Sequence, residues 1–243
     1  MDEREKERYS RQILSPSIGE EGQKKISKVR VLQIGAGGLG SPFAYYLVAA
    51  GIKELTIIDN DTVSLSNLQR QILYNETQIG MEKVTAAKSV LSKLNSDVKV
   101  NVYKDLISYE TIDKYINKQD FIVDCSDNFA TKFLVNQTAI KHNLNCVIAG
   151  IKDFFGQIIT IKPKKTACYQ CIFSPPVTDN SMEGPLPVIG VTPGILGTLQ
   201  ALEVIKTTLA LPNLENKLLM VNLLDISFNI IDVVKSDNCI CSK

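Results

Sequence analysis

Tryptophan is absent from these 243 residues, and histidine occurs once, at His142. His142 comes late in a helical pattern and is interpreted as a surface residue. We therefore do not expect acid–base catalysis by histidine. No apolar run approaches the ~18 residues that a transmembrane helix needs, and the first fifteen residues are too charged for a secretion signal. A net charge of +1 gives no electrostatic reason to expect a nucleic-acid or membrane partner. We therefore expect a cytoplasmic protein.

Cysteine is also sparse. The six residues are Cys125, Cys146, Cys168, Cys171, Cys239 and Cys241. The first two lie in apolar runs that predict strands, and the third and fourth form a Cys-x-x-Cys pair. Buried thiols with one such pair are typical of a reducing compartment and a metal site rather than a disulfide scaffold.

The stretch 29–40, VRVLQIGAGGLG, has the pattern of a phosphate-binding turn. Its apolar start predicts a strand buried on both faces, and a helical pattern begins before it ends. Between them lie Gly35, Gly37 and Gly40, at G-x-G-x-x-G spacing, with an additional Gly38. Glycines let a ligand approach the backbone, and the first N–H groups of the helix point at it. The alternative is a tight β–α turn that binds no ligand.

A second short apolar strand ends at Asp59, 19 positions after Gly40. An acid at about this distance binds ribose hydroxyls in nucleotide-binding folds. A polar segment, 60–80, follows it, and a loop of this length beside a phosphate-binding turn is usually functional. The turn Asp124 to Asn128, DCSDN, follows another apolar strand. In doubly wound sheets it would converge with Asp59 on the glycine loop.

Strands alternate with helices as far as Gly150, which predicts an α/β fold with a doubly wound, Rossmann-like and mostly parallel sheet. After it, a strand at 154–162 and an apolar hairpin at 218–234 predict an antiparallel extension. Helices are predicted at 2–13, 18–27, 39–50, 81–95, 108–116, 129–142 and 195–209. The first two have no broad apolar stripe, so we expect them to pack on another surface. The chain is predicted to be one domain, 1–243, with N-terminal helices at 1–28 and a nucleotide-binding core at 29–150.

Several short motifs then occur in an order found in one family: RYSRQI at 8–13, the glycine loop, DND at 59–61, SLSNLQRQ at 64–71, G-x-x-K at 80–83, DCSDN at 124–128 and Cys-x-x-Cys at 168–171. The chain resembles the ThiF/MoeB/HesA-type adenylyltransferases, bacterial relatives of the ubiquitin-activating enzymes. The resemblance covers nearly the whole chain. SNLQRQ together with DCSDN is much more specific than the glycine loop alone.

The resemblance implies an enzyme that binds ATP and Mg²⁺ and adenylates the C-terminal glycine of a ubiquitin-like sulfur carrier ending in Gly-Gly. Residues 151–243 would then be the carrier-binding and metal-knuckle portion. By resemblance, the catalytic residues are Arg11, Arg70, Lys83 and Asp127, with Asp127 also the Mg²⁺ ligand. The nucleotide-binding residues would be Gly35, Gly37, Gly38, Gly40, Asp59, Asp61, Ser66, Asn67, Gln71 and Asn128. Arg11 would enter the partner's ATP site, which implies a homodimer.

Each proposed role has an alternative. Arg70 and Lys83 could be solvated surface charges, and Asp127 could be the N-cap of the following helix. A structural zinc site is implied at Cys168 and Cys171, which the family completes with a second Cys-x-x-Cys. This chain has Cys239-x-Cys241 instead, so a lost site is the alternative to a four-cysteine zinc site.

The segment 174–194 contains no cysteine, although members that bind their carrier covalently have one after the metal knuckle. We therefore expect the chemistry to stop at an acyl-adenylate, which a separate sulfur donor would attack, in thiamine or molybdopterin biosynthesis. Other functions remain open at this point: an NAD-dependent oxidoreductase, a non-catalytic scaffold, or activation within the family of a ubiquitin-like conjugation protein, a peptide or a tRNA. The near-neutral charge disfavours the tRNA version.

Overall fold

An eight-stranded sheet runs through the computed structural model, which describes residues 1–175 and 187–242. The strands are β1 (Arg30–Ile34), β2 (Glu54–Ile58), β3 (Lys99–Tyr103), β4 (Phe121–Asp124), β5 (Asn145–Lys152), β6 (Phe155–Ile161), β7 (Lys217–Asn222) and β8 (Ser227–Asp232). Their order across the sheet is β3-β2-β1-β4-β5-β6-β7-β8. The first five strands in the chain pair in parallel, and β6, β7 and β8 are added antiparallel. The predicted fold class is confirmed.

Helices cover both faces of this sheet. They are α1 (Glu3–Arg8), α2 (Ser10–Ile13), α3 (Gly19–Ile26), α4 (Gly40–Ala50), α5 (Lys83–Leu94), α6 (Phe129–His142), α7 (Tyr169–Ile172) and α8 (Val191–Thr208). Apolar residues of α4, α5 and α8 form one core with the sheet, and those of α6 and α7 form the other. β1 and β4 are buried because both of their faces are covered.

Two predicted helices differ from the structure. The helix predicted at 108–116 is only a 3₁₀ turn, Ile112–Tyr115. The Thr111 hydroxyl accepts a hydrogen bond from the Ser108 N–H, and the Ser108 hydroxyl accepts one from the Glu110 N–H; such local bonds compete with helix formation. Helix α8 begins at Val191, four residues before the predicted start, because Pro193 in its first turn has no N–H that would need a partner.

The N-terminal helices contact the C-terminal ends of this chain's own α4 and α5, and α3 packs on α8. The predicted helix 2–13 breaks at Tyr9, whose buried ring lies against Gly51 and whose hydroxyl accepts a hydrogen bond from Asn95 Nδ2 at 2.9 Å. Gln23 of α3 donates to the carbonyl of Ala50 at 2.9 Å. These contacts satisfy polar groups at the C-terminal end of α4. Among the described residues, no helix is both long and apolar enough to cross a membrane.

Candidate active site

The glycine loop lies between β1 and α4, at the point where the sheet order reverses. β1 pairs with β2 on one side and β4 on the other, so the loop opens into the crevice where doubly wound folds bind ligands. Gly35 has φ +94°, and a Cβ there would lie 2.8 Å from the carbonyl oxygen of Cys125. A Cβ on Gly40 would collide with the carbonyl of Gly35. Larger residues are therefore excluded at both ends of the loop.

Gln33 holds the loop from below. Its Nε2 donates to the carbonyl oxygens of Gly35 at 2.8 Å and Gly40 at 3.2 Å, although Gln33 lies in the buried middle of β1. Its Oε1 has no hydrogen-bond partner among the described residues. The side chain thus joins the first and last glycines of the loop and fixes its width.

Asp59, at the end of β2, contacts the loop directly. Its Oδ2 accepts a hydrogen bond from the Ala36 N–H at 2.7 Å, and its Oδ1 accepts one from the Asp61 N–H at 2.8 Å. The hydroxyl of Tyr74 donates to the carbonyl of Ala36 at 2.8 Å. Burial raises the pKa of Tyr74, with Asp59 and Asp61 adding to the shift, so Tyr74 stays a hydrogen-bond donor. The carboxylate of Asp59 is held at the edge of the crevice.

The polar segment 60–80 is a loop whose two ends pair with each other. The N–H of Val63 donates to Met81 O at 2.8 Å, and the N–H of Gly80 donates to Val63 O at 2.9 Å. Closing the ends in this way makes the segment a compact unit rather than a loose connection. It therefore presents its polar side chains, from Ser66 to Gln71, as a group.

That group lies over the glycines. Arg70 Cγ would be 3.5 Å from a Cβ on Gly38, and Gln71 Nε2 would be 3.6 Å from one on Gly37. Arg70 Nη1 donates to the carbonyl of Ser66 at 3.1 Å. Asn67 lies in the 3₁₀ turn Leu65–Asn67, and its carbonyl accepts hydrogen bonds from the N–H groups of Arg70 and Gln71. The structure thus brings Arg70 and Gln71 to the predicted phosphate-binding turn, while Ser66 and Asn67 hold the segment together through their backbone carbonyls.

Lys83 begins helix α5, where it is paired with Asp61. The Lys83 ammonium lies 2.8 Å from Asp61 Oδ2, and the Lys83 N–H donates to Asp61 O at 3.0 Å. The lysine side chain is buried while the aspartate is exposed. A hydrogen-bonded chain therefore runs from Lys83 through Asp61 and Asp59 to the glycine loop at Ala36.

The turn after β4 completes the crevice. The Cys125 carbonyl and the Ser126 N–H lie against Gly35, and Asn128 caps α6 by accepting from the Thr131 N–H at 2.8 Å. Because Asn128 is the N-cap, the alternative reading of Asp127 as the cap is wrong. Asp127 is exposed, and its carboxylate has no ion-pair or hydrogen-bond partner among the residues that the structure describes. A hard oxygen donor is thus available beside the loop, which fits Mg²⁺.

Arg11 lies apart from this crevice. It is exposed on α2, and its neighbour Gln12 contacts the carbonyl of Ala50 at the C-terminal end of α4. The glycine loop is at the other end of that helix, which at 1.5 Å per residue is about 16 Å long. Arg11 therefore cannot complete the site of its own subunit.

Four thiols form a second candidate site. The Sγ atoms of Cys168, Cys171, Cys239 and Cys241 all lie within 4.8 Å of one another. Cys168 and Cys239 are 3.5 Å apart, as are Cys171 and Cys241. Tetrahedral zinc with Zn–S bonds of about 2.3 Å places its sulfurs roughly 3.8 Å apart. The four residues therefore fit zinc despite the short Cys-x-Cys spacing.

Polar groups around the cluster orient the thiols. Asn136 Nδ2 donates to Cys168 Sγ at 3.6 Å, and the Ser236 N–H donates to Cys171 Sγ at 3.5 Å. Burial raises the pKa of Cys168 and of Cys241. Burial is also the largest single influence on the pKa of Cys171, but hydrogen bonds from the Ser236 and Cys168 N–H groups and from the thiols of Cys241 and Cys239 together lower that pKa. Such donors to sulfur are typical of metal-binding thiolates.

Sequence reasoning missed three residues of the candidate site: Gln33, Tyr74 and Lys132. Gln33 could have been found as the polar residue inside an apolar strand. Lys132, which is buried against the turn after β4 with its ammonium 2.6 Å from Asp124 Oδ2, could have been found as the charge among apolar neighbours in α6. Tyr74 carries no comparable signal, since its role depends on the folding of the 60–80 segment.

The sheet order and the glycine loop define a doubly wound α/β fold with a candidate phosphate-binding turn at its switch point. A model described as the ThiF family matches residues 9–243, and the chain belongs to that family. It is 35% identical to the sulfur carrier protein adenylyltransferase of Thermus thermophilus, over 97% of this chain and 90% of that protein. It is 40% identical to the adenylyltransferase and sulfurtransferase MOCS3 of Xenopus laevis, over 97% of this chain and 53% of that protein.

The chain spans about half the length of the MOCS3 relatives that it matches. Among solved structures, it is similar to the E. coli protein MccB with ATP, with a TM-score of 0.86 and 25% identity, covering 97% of this chain and 73% of that one. The fold, and the membership of a family whose named relatives are adenylyltransferases, are thus established.

Proposed function

We propose that this chain uses ATP to adenylate the C-terminal glycine of a ubiquitin-like sulfur carrier that ends in Gly-Gly, for thiamine or molybdopterin biosynthesis. The observation that carries the proposal is the placement of Arg70 over Gly38, the central glycine of a loop that opens at the switch point of the sheet. The guanidinium is held by the carbonyl of Ser66 in the same segment, and an arginine fixed beside a phosphate-binding turn fits a nucleoside triphosphate. The name of the Thermus relative supports the carrier as the second substrate.

The reaction needs positive charge more than it needs a base. A carboxylate oxygen of the carrier attacks the α-phosphorus of ATP, the bond from that phosphorus to the bridging oxygen breaks, and pyrophosphate leaves. The nucleophile is already ionised, so no proton has to be removed. Arg70 and Lys83 reduce the repulsion between carboxylate and phosphates, and the N–H groups at the start of α4 bind phosphate oxygens. Asp59 binds the ribose.

Asp127 is the residue that would hold Mg²⁺, which supplies positive charge at the phosphates when bound. The polar side chains of Ser66, Asn67 and Gln71 would bind the nucleotide from the 60–80 segment. Gln71 supports this role, because its buried Oε1 has no partner among the described residues. A buried acceptor without a partner is costly, and a ligand or its water would satisfy it.

The proposed enzyme is a symmetric homodimer with composite sites. Arg11 is exposed at the far end of α4 from its own glycine loop, which supports a role in the neighbouring subunit's site. The four-cysteine cluster would hold one structural zinc ion. The proposed chain thus has a nucleotide-binding part, 29–150, and a metal-knuckle part, 151–243, that binds the carrier.

The acyl-adenylate is proposed to be the final product on this chain. Cys125 and Cys146 are buried in the sheet, and burial raises the pKa of both thiols well above the ordinary value. The other four cysteines belong to the zinc cluster. The segment 174–194, in which a carrier-binding cysteine would be expected, has none in sequence; most of it, 176–186, lies outside the described residues.

The test is ATP–pyrophosphate exchange with purified carriers of the thiamine and molybdopterin types. We expect exchange that depends on Mg²⁺ and on the carrier, and that is lost when the carrier's last glycine is deleted. Calorimetry with Mg-ATP and with NAD provides the second arm, in which only Mg-ATP should bind. Binding of NAD alone would identify an oxidoreductase. Binding of Mg-ATP with no exchange for any carrier would remove the carrier from the proposal.

A further inference from the structure

A buried ion pair lies directly beneath the turn that carries Asp127. The Lys132 ammonium is 2.6 Å from Asp124 Oδ2, and both side chains are almost completely buried. Burying two charges is costly, and the cost is recovered only with excellent geometry and further hydrogen bonds. Such a pair is therefore weak evidence of a role in stability alone.

All three N–H groups of the Lys132 ammonium have acceptors. Besides Asp124, they are the carbonyl of Ala149 in β5 at 2.7 Å and the carbonyl of Ser126 at 3.0 Å. The other carboxylate oxygen of Asp124 accepts the Ser126 hydroxyl at 2.6 Å and the Ser126 N–H at 3.3 Å. Ser126 is thus held at its N–H, its carbonyl and its side chain.

These bonds fix the residue immediately before Asp127, and the Asn128 cap fixes the residue immediately after it. Asp127 is the one member of this turn whose side chain is exposed without a partner among the described residues. The buried network thus holds both sides of one exposed carboxylate. It also places Ser126 against Gly35 of the nucleotide loop.

We propose that Lys132 is a positioning residue that acts through Asp127, holding its carboxylate in the place where it binds the metal of Mg-ATP. The proposal rests on the proposed function for the identity of the ligand. Lys132 is covered by Asp124 and the backbone, so it acts without touching the nucleotide. Groups that orient a metal ligand in this way typically change metal affinity by roughly 10- to 100-fold when removed.

The experiment is a double-mutant cycle on binding. Calorimetry measures the affinity for ATP with Mg²⁺ and with EDTA, and their ratio is the metal-dependent gain. Lys132→Met should reduce this gain roughly 10- to 100-fold and leave the affinity for metal-free ATP nearly unchanged. Asp127→Ala should abolish the gain, and adding Lys132→Met to it should have no further effect, because coupled residues are not additive. Independent, additive losses would overturn the proposal.

Two further variants separate positioning from folding. The double variant Asp124→Asn/Lys132→Met covers the case in which Lys132→Met alone fails to fold. It removes both buried charges and therefore leaves no unpaired charge. We expect this double variant to fold and still to lose the metal-dependent gain in affinity. Glu203→Gln is the matched control, since Glu203 in α8 is equally buried and bonded to Thr160 at 2.6 Å, while its own hydrogen bonds go to Thr160, Lys206 and Leu214 rather than to this turn. It should lower thermal stability and keep the gain. A normal gain in the folded double variant would refute the inference.

Failure of the proposed function gives a different pattern. The mutant cycle measures ATP binding and needs no carrier. If wild-type protein binds Mg-ATP but catalyses no exchange with any carrier, the carrier is removed from the proposed function, and the cycle still decides the role of Lys132. Wild-type protein whose affinity for ATP is independent of Mg²⁺ would overturn both the metal role of Asp127 and the role of Lys132.

Discussion

Lys83 and Asp61 are joined twice, by an ion pair of 2.8 Å and by a backbone hydrogen bond of 3.0 Å. The ammonium is therefore held at the start of α5 before any phosphate arrives, and its direction is set by an aspartate that is itself bonded to Asp59. Preorganised charge of this kind costs little reorganisation when a substrate binds. The arrangement makes Lys83 a fixed charge beside Asp61 rather than a mobile surface lysine.

We expect Lys83→Met to reduce carrier-dependent exchange by ~10²-fold or more, because one lost electrostatic contact at the phosphates has about that effect. Steady-state exchange and a thermal melt measure activity and folding. The matched control is Lys104→Met, which removes an exposed lysine paired with Glu82 at 3.3 Å near the same helix. Near wild-type exchange by the Lys83 variant would take this residue out of the site.

Arg70→Ala and Asp127→Ala should each abolish exchange and leave the melting temperature almost unchanged. Both side chains reach the surface of the crevice, and surface substitutions of this kind usually change stability by only about 0.5 kcal/mol. Arg4→Ala and Asp97→Ala are suitable controls, since these two form an exposed ion pair beyond the C-terminal end of α5, whereas Lys83 begins that helix. Either crevice variant retaining full exchange would show that its charge is not used.

Mixing Arg11→Ala with Asp127→Ala should restore activity. Each variant alone is expected to be inactive, but a mixed dimer contains one site with both groups intact. Size-exclusion chromatography with light scattering establishes the dimer, and exchange is measured after the subunits re-equilibrate. Heterodimers that form and remain inactive would contradict the composite site.

One zinc ion per chain is expected by elemental analysis, and Cys239→Ser should lose it. Zinc present at roughly 1,000 times its Kd would stabilise the fold by about 4 kcal/mol, which corresponds to a drop of roughly 8–16 °C in melting temperature when it is removed. Cys146→Ala is the control, because this buried cysteine lies in β5 and outside the cluster. Full zinc content in the Cys239 variant would show that Cys239 is not a zinc ligand.

No covalent bond between enzyme and carrier is expected. Enzyme, carrier and Mg-ATP are incubated, then examined on reducing and non-reducing gels and by intact-mass measurement. Only the separate masses should appear, because a desolvated thiolate is costly at Cys125 and Cys146 and zinc suppresses the nucleophilicity of the rest. A thiol-sensitive adduct at the summed mass, lost when one cysteine is replaced, would place this chain in the thioester-forming branch.

The sequence predicts most of the parallel sheet because its strands are short apolar runs ended by glycine or acid, as at Gly35 and Asp59. It also predicts which segments reach the crevice, since the carboxyl ends of parallel strands share one edge. What it cannot predict is which side chain in a turn bonds to which neighbour. The sequence allows Asp127 or Asn128 as the cap of α6, and only the three-dimensional turn assigns it to Asn128.

The same limit explains why the helix predicted at 108–116 is wrong. Residues 108–116 have apolar spacing that suits a helix, but the hydroxyls of Ser108 and Thr111 accept hydrogen bonds from N–H groups within the same segment.

The short Cys239-x-Cys241 spacing looks unfavourable for a metal when read along the chain. In space, the two sulfurs approach different members of the first pair, so the two thiols of the short pair occupy separate positions in the cluster.

Helix α6 touches the thiol cluster and the Asp127 turn within about 6 Å of its length, since Asn136 and Lys132 are four residues apart. Asn136 bonds to Cys168 and to the Tyr169 N–H, while Lys132 bonds to the turn. The storage history of a preparation therefore matters for nucleotide measurements. Oxidation of these thiols, or loss of the proposed zinc, would disturb the bond between Asn136 and Cys168, and binding stoichiometries scaled to total protein would be too low. Titrations should be scaled to the reduced, metal-loaded chains.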